Sequence, residues 1–159
     1  LLRQLLKATC FAVNESEEAM VQEKHVNFEI ERKVAFYELD PMHIVWHGNY
    51  YKYFEDARSG LLRQAGIDLH DFYLQNNYVF PIIKTATKHI YPLRYGDEFI
   101  CRATVAECKE KLVVDFEIRL KQDGKVCVKA RTEQVAVQMP EGEMQFELPA
   151  SIRSALVML

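Results

Sequence analysis

Between Asn49 and Ala65, the residues Tyr50, Phe54, Ala57, Leu61 and Ala65 recur at spacings of three and four, so one face of a helix is apolar along its length. Tyr53, Gly60 and Leu62 widen that stripe, while Lys52, Asp56, Arg63 and Gln64 fall largely outside it. A stripe this broad calls for a helix mostly enclosed by other structure, which limits the folds available. Gly60 costs about 1 kcal/mol of helix propensity relative to Ala, marking a place where something packs close to the backbone. Gly66 fits the stop at the helix C-terminus.

The rest of the chain supplies what encloses the helix. Phe28 to Tyr37 alternates in part, with Phe28, Ile30, Val34 and Phe36 on one parity, and reads as the first strand. Asp68 to Asn76 reads as a short second helix with Asp68 near its start. Val79 to Tyr91 is expected to be one long strand bent near Pro81, and Glu98 to Cys108 the next. In Lys111 to Lys121, the residues Leu112, Val114, Phe116, Ile118 and Leu120 keep strict period two. Asp123-Gly124 is a hairpin signal, after which Lys125 to Gln138 continues as a strand. A weak helical pattern, Ile152 to Leu156, lies in the tail. One long apolar helix followed by a meander of long strands is an α+β layout, an antiparallel sheet wrapped around one central helix. Periodicity alone also allows a helix-grip or cystatin-like fold.

Chemistry concentrates just before that helix. Asp40-Pro41 closes an extended segment, the apolar run Ile44-Val45-Trp46 follows, and His47-Gly48-Asn49 opens the helix. A carboxylate can attack a carbonyl or activate water, and unpaired N–H groups at a helix start can hold an oxyanion. Asp40 is the candidate for the first task and the N–H of His47 or Gly48 for the second. Read on pattern alone, Asp-Pro is more often a turn whose carboxylate caps the next segment. His43 and His47 are four apart, but the helix begins only after them, so no metal site is expected. His25, His70 and His89 have no partners that the sequence identifies.

Several separated motifs agree with one family. Glu38-Leu39-Asp40, Ile44-Val45-Trp46-His47 and Asn49-Tyr50 occur in order, followed by Phe54-Glu55-Asp56-Ala57-Arg58 and Tyr91-Pro92-Leu93-Arg94-Tyr95-Gly96-Asp97. Over roughly Phe28 to Met139 the chain resembles hotdog-fold thioesterases of the 4-hydroxybenzoyl-CoA thioesterase type, especially the YbgC-like acyl-CoA thioesterases. It departs from them at Pro41-Met42-His43, where such proteins have small residues and Gly, so Met42 and His43 are expected to reshape the pocket mouth.

The resemblance implies a hotdog fold and hydrolysis of acyl-CoA, or acyl-carrier-protein, thioesters. It casts Asp40 as nucleophile or general base and His47 as its assistant, and requires no cofactor. Tyr50 is expected to line the acyl pocket. Glu55 is expected to approach the thioester site from a neighbouring subunit. The phosphates of CoA call for cations, and Lys109, Lys111, Lys88 and Arg94 are the candidates. Lys109 and Lys111 flank the turn where resembling enzymes meet the nucleotide. Proteins of this type form dimers by joining sheets edge to edge, often paired into tetramers, so a homodimer or homotetramer is expected. The competing readings are a non-catalytic acyl- or lipid-binding module in the same fold and a hotdog dehydratase or hydratase.

The 159 residues fit one domain. A net charge of −3 argues against nucleic acid as the main partner, and no run is long enough to span a membrane. Cys10, Cys101, Cys108 and Cys127 form no C-x-x-C pair, which suits free thiols in a reducing, cytoplasmic setting. Residues 1–24 read as an extension, an amphipathic helix with Leu2, Leu5, Leu6 and Val13 followed by a polar linker, ahead of one thioesterase domain over 25–159.

Overall fold

A computed structural model describes residues 26–157; the expected N-terminal helix and linker, with Cys10, lie outside the described residues. The elements run β1 (Asn27–Lys33), a 3-10 turn (Phe36–Glu38), α1 (Asn49–Gln64), α2 (Leu69–Asn76), β2 (Tyr78–Val79), β3 (Ile82–His89), β4 (Glu98–Glu107), β5 (Leu112–Leu120), β6 (Val126–Gln134), β7 (Val137–Gln138), β8 (Glu143–Met144) and α3 (Ala150–Val157). Five strands form an antiparallel sheet in the order β1-β4-β5-β6-β3. The sheet's edges are thus β1 and β3. A small second sheet joins β2, β7 and β8.

Strict alternation places the core. Leu112, Val114, Phe116, Ile118 and Leu120 are buried on one face of β5, and Phe99, Cys101, Ala103 and Val105 on the same face of β4. Register sets them opposite one another, Phe99 with Leu120 and Ala103 with Phe116. The wide stripe of α1 lies over this face: Tyr53 meets Phe99 at 4.7 Å and Phe54 meets Phe116 at 4.9 Å between ring centroids. Each large side chain so buried contributes about 1.5–3 kcal/mol. The other face is polar and cross-linked by ion pairs, Arg131 holding both oxygens of Asp115 at 2.6 and 2.7 Å and Lys121 meeting Glu31 at 2.7 Å.

Helix ends follow the sequence signals. Asp68 caps α2 by accepting from the N–H groups of His70 and Asp71. Gly66 ends α1's extension with a φ of +73°. Gly60 faces β1, where a Cβ would run into the Phe28 ring.

Some expected boundaries move. The first strand stops at Lys33 rather than Tyr37, because the Glu38 carboxylate accepts from Ala35 N at 2.7 Å and folds Phe36–Glu38 into a 3-10 turn. Phe36 and Tyr37 then face solvent, 75% and 85% exposed. The long strand expected over Val79 to Tyr91 breaks into β2 and β3 at Pro81, which has no N–H for a ladder. Lys125 to Gln138 likewise divides after Gln134, whose side chain turns inward to bond Phe80 O at 2.7 Å. The two-residue strands of the small sheet are too short to leave a periodic trace.

Candidate functional site

The segment between the 3-10 turn and α1 is a tight loop tied at both ends. Asp40 N donates to Ile44 O (2.8 Å), and His43, in the left-handed region at φ +58°, donates to Asp40 O (2.9 Å). Val45 N reaches Leu93 O at 2.9 Å, anchoring the loop to the connection between β3 and β4. Glu38 is the hub: its carbonyl accepts from Trp46 N and from the buried amide of Asn49, both at 2.9 Å. Its carboxyl lies close to Tyr53, and burial together with that acid pushes the Tyr53 phenol far up. The acid two places before Asp40 and the Asn that opens α1 thus lock the loop to the helix start.

Within this frame the Asp40 carboxylate is divided. Oδ1 accepts from Met42 N at 2.8 Å and Ile44 N at 3.5 Å. Oδ2 takes part in no hydrogen bond among the described residues. The turn-capping and reactive readings of Asp-Pro are therefore compatible, since one oxygen holds the loop and the other stays open. Asn49 N donates to Trp46 O at 2.8 Å, closing a turn whose central residues are His47 and Gly48. The N–H groups of those two residues lie outside that bond and outside the helix ladder, and α1 has no side-chain cap. A Cβ at Gly48 would meet the ring of Trp46, which would have to swing aside.

A cavity of about 340 Å³ opens beside this loop. Asp40, His47 and Tyr50 line it together, with apolar wall from Met42, Ile44, Val45, Ile90 and Pro92. The Tyr50 hydroxyl accepts from Leu93 N at 3.4 Å, and burial raises its pKa. A cleft of similar size, about 330 Å³, between Gly96–Glu98 and Leu120–Gln122 carries no histidine and no comparable loop.

The structure brings Asp40, His47 and Tyr50 to one cavity and places Gly48 in the adjoining turn. It leaves other candidates outside. His43 is exposed on the loop and is not among the lining residues, and Glu55 is an exposed partner of the buried Arg58 rather than a lining residue. Arg94 is exposed next to Leu93, its backbone N bonded to Asp97 at 2.8 Å. Lys88 is exposed on β3, opposite Lys129. Lys109 and Lys111 sit at the turn between β4 and β5, level with the Ile82 end of β3. The cavity is at the His89 end, about 24 Å away at roughly 3.4 Å per residue. Lys111 is bonded to Glu133 at 3.0 Å, an acid it shares with Lys84.

One lining residue had no partner in the sequence: His89, the last residue of β3. Its ring packs edge-on against Tyr50, 4.9 Å between centroids. Burial, and next the nearby His47, hold its pKa below the ordinary 6.5. The only local signal is its place just ahead of the Tyr91-Pro92 motif; its approach to α1 depends on β3 crossing to the far edge of the sheet.

The profile of the thioesterase-like superfamily matches residues 34–156. A Synechocystis sp. protein classed provisionally as an esterase is 28% identical over 92% of this chain and 87% of its own. An acyl-acyl carrier protein thioesterase of Arabidopsis thaliana is 28% identical over 81% of this chain and 67% of its own. Among solved structures, a 1,4-dihydroxy-2-naphthoyl-CoA thioesterase from Synechocystis superposes with a TM-score of 0.73 at 20% identity, covering 82% of this chain and 95% of that one. At that identity the likeness is one of fold, and it identifies the sheet around α1 as the hotdog arrangement.

Proposed function

The chain belongs to the thioesterase-like superfamily, and from that premise we propose that it hydrolyses acyl-CoA thioesters, with Asp40 as the reacting carboxylate. The observation that carries this reading is the divided carboxylate. Oδ1 is fixed by Met42 N, while Oδ2 has no hydrogen bond among the described residues; Asp40 lines the cavity next to the turn whose His47 and Gly48 N–H groups also have none among those residues. A thioester carbonyl placed there meets a nucleophile or general base on one side and oxyanion donors on the other. Oδ2 either attacks the carbonyl carbon, giving an anhydride that water then opens, or takes a proton from a water that attacks directly. On both routes the C–S bond breaks, water supplies the new carboxyl oxygen, and the departing thiolate leaves as thiol after taking a proton. His47, on the cavity wall, is the group that delivers or relays it. The names carried by the relatives, an esterase and two thioesterases, support the same chemistry, and the Arabidopsis relative extends the candidate substrates to acyl-carrier proteins.

The second part of the reading is a homodimer. The outer edge of β3 has no strand beside it among the described residues, and its ends carry exposed Ile82, Ile83 and Ile90. Pairing two β3 edges about a two-fold axis covers that edge. Antiparallel pairing also sets the Ile82 end of one strand beside the His89 end of the other, which carries the partner's Lys109 and Lys111 toward this cavity. The distant lysines then serve the CoA phosphates in trans. Glu55 remains a candidate from the neighbouring subunit on the same grounds.

The test is free-thiol release from short, long and aromatic acyl-CoAs by the protein and by Asp40→Asn. The amide oxygen of that variant still accepts from Met42 N, so the loop and the oligomer size persist while turnover falls by at least about 100-fold. Equal turnover in both removes Asp40 from the mechanism. Saturable acyl-CoA binding without turnover on any substrate makes the chain a binding module.

A further inference from the structure

Five polar side chains line the cavity, and four have a task. Asp40 and His47 face the thioester in the reading above. The Tyr50 hydroxyl is bonded to Leu93 N, and the Tyr91 ring lies under the Lys125 ammonium, 3.7 Å from its centroid. The fifth, His89, is exposed, and its ring nitrogens have no hydrogen-bond partner among the described residues. The backbone beyond it is held where Ile90 N and Tyr91 N both donate to Cys127 O, at 2.8 and 3.0 Å, and its ring lies edge-on to Tyr50. Its neighbours in the wall, Ile90 and Pro92, offer it no side-chain partner.

We propose that His89 determines acyl specificity, as a hydrogen-bonding imidazole on the strand wall that favours acyl groups bearing a hydroxyl or oxo oxygen over plain hydrocarbon ones. The chemistry follows from what happens when substrate enters. An acyl group displaces the water that solvates the imidazole. A hydrocarbon lying over the ring takes that water away and returns nothing; an oxygen substituent replaces the lost bond. Burial and the facing His47 keep the ring neutral at neutral pH, so it presents one donor and one acceptor and serves a hydroxyl or a carbonyl equally. Tyr50 packs edge-on against one side of the ring.

This rests on acyl thioesters being the ligands, and the experiment separates the two. Dissociation constants are measured for two matched pairs, octanoyl-CoA with 3-hydroxyoctanoyl-CoA and benzoyl-CoA with 4-hydroxybenzoyl-CoA. They are measured on Asp40→Asn, where turnover is greatly slowed, and on that variant carrying His89→Phe, which keeps a ring against Tyr50. The oxygenated member is expected to bind about ten-fold tighter in at least one pair. That preference should shrink to within about two-fold in the double variant, while affinity for the hydrocarbon member holds or rises. His89→Gln, which retains a donor and an acceptor, should restore part of the preference. The same ratio should appear in kcat/KM of the otherwise unaltered protein with and without His89→Phe. No preference in either pair overturns the proposal, as does a preference that survives His89→Phe. If thioesters bind but are never cleaved, the hydrolase reading fails while the affinity ratios still decide the role of His89.

Discussion

Replacing Gly60 by alanine sets two effects of known size against each other. Alanine at an interior helix position gains about 1 kcal/mol over glycine. The new methyl, however, meets ring carbons of Phe28, Cζ at 2.8 Å and two others closer still. Gly60 is fully enclosed in α1, so the helix cannot yield; the Phe28 ring or strand β1 must move. Overpacking of this kind costs about 1–3 kcal/mol. With the overlap near the upper end of that range, Gly60→Ala is expected to destabilise by roughly 1–2 kcal/mol net, lowering Tm by about 2–8 °C for a chain of this length. Removing the obstacle reverses the sign. In a Phe28→Ala background the same change should stabilise by about 1 kcal/mol, so the double-mutant cycle returns a coupling of about 2–3 kcal/mol. Urea and thermal unfolding followed by circular dichroism, at one fixed protein concentration, measure all four corners. A Gly60→Ala protein more stable than its parent, or a coupling below about 0.5 kcal/mol, would refute the claim that Phe28 dictates the glycine.

Asn49→Ala removes the buried amide bond to the Glu38 carbonyl and should cost about 1–3 kcal/mol in stability, with kcat falling more than KM changes because the Asp40 loop loses its tether. His89 has a native pKa below its ordinary 6.5, so the unfolded chain binds more protons than the folded one between those two values. Stability therefore falls as pH drops through that window, and urea midpoints taken from pH 7.5 to 5 should fall less steeply for His89→Gln than for the parent. Burial pushes the Cys101 thiol up to about 12; a maleimide or iodoacetamide pulse at pH 8 should leave it unmodified in the folded protein, and mass mapping that finds it labelled without unfolding would contradict its place beneath α1.

What could be read directly was whatever repeats at short range. The stripe from Tyr50 to Ala65 and the alternation from Leu112 to Leu120 each follow from a fixed periodicity, and burial obeyed both. Asp40, His47 and Tyr50 were legible because they lie within one short segment that folds on itself. The ends of β1 at Lys33 and of β6 at Gln134 were misplaced because they depend on single side chains bonding backbone, as Glu38 does to Ala35 N and Gln134 to Phe80 O. Lys109 and Lys111 were legible as cations but not as distant ones.

By itself, then, the sequence determined the α+β layout, the wide-faced helix and the acid-loop-helix element that bears Asp40, since each is set by neighbours within a few turns of chain. Tertiary structure alone decided that His89 faces Tyr50 and His47, that Gly60 yields to Phe28, and that the lysines sit at the far end of β3. Each of those depends on the order of strands in the sheet, and strand order is fixed by which apolar faces bury together, a choice made across the whole chain and written in no single segment of it.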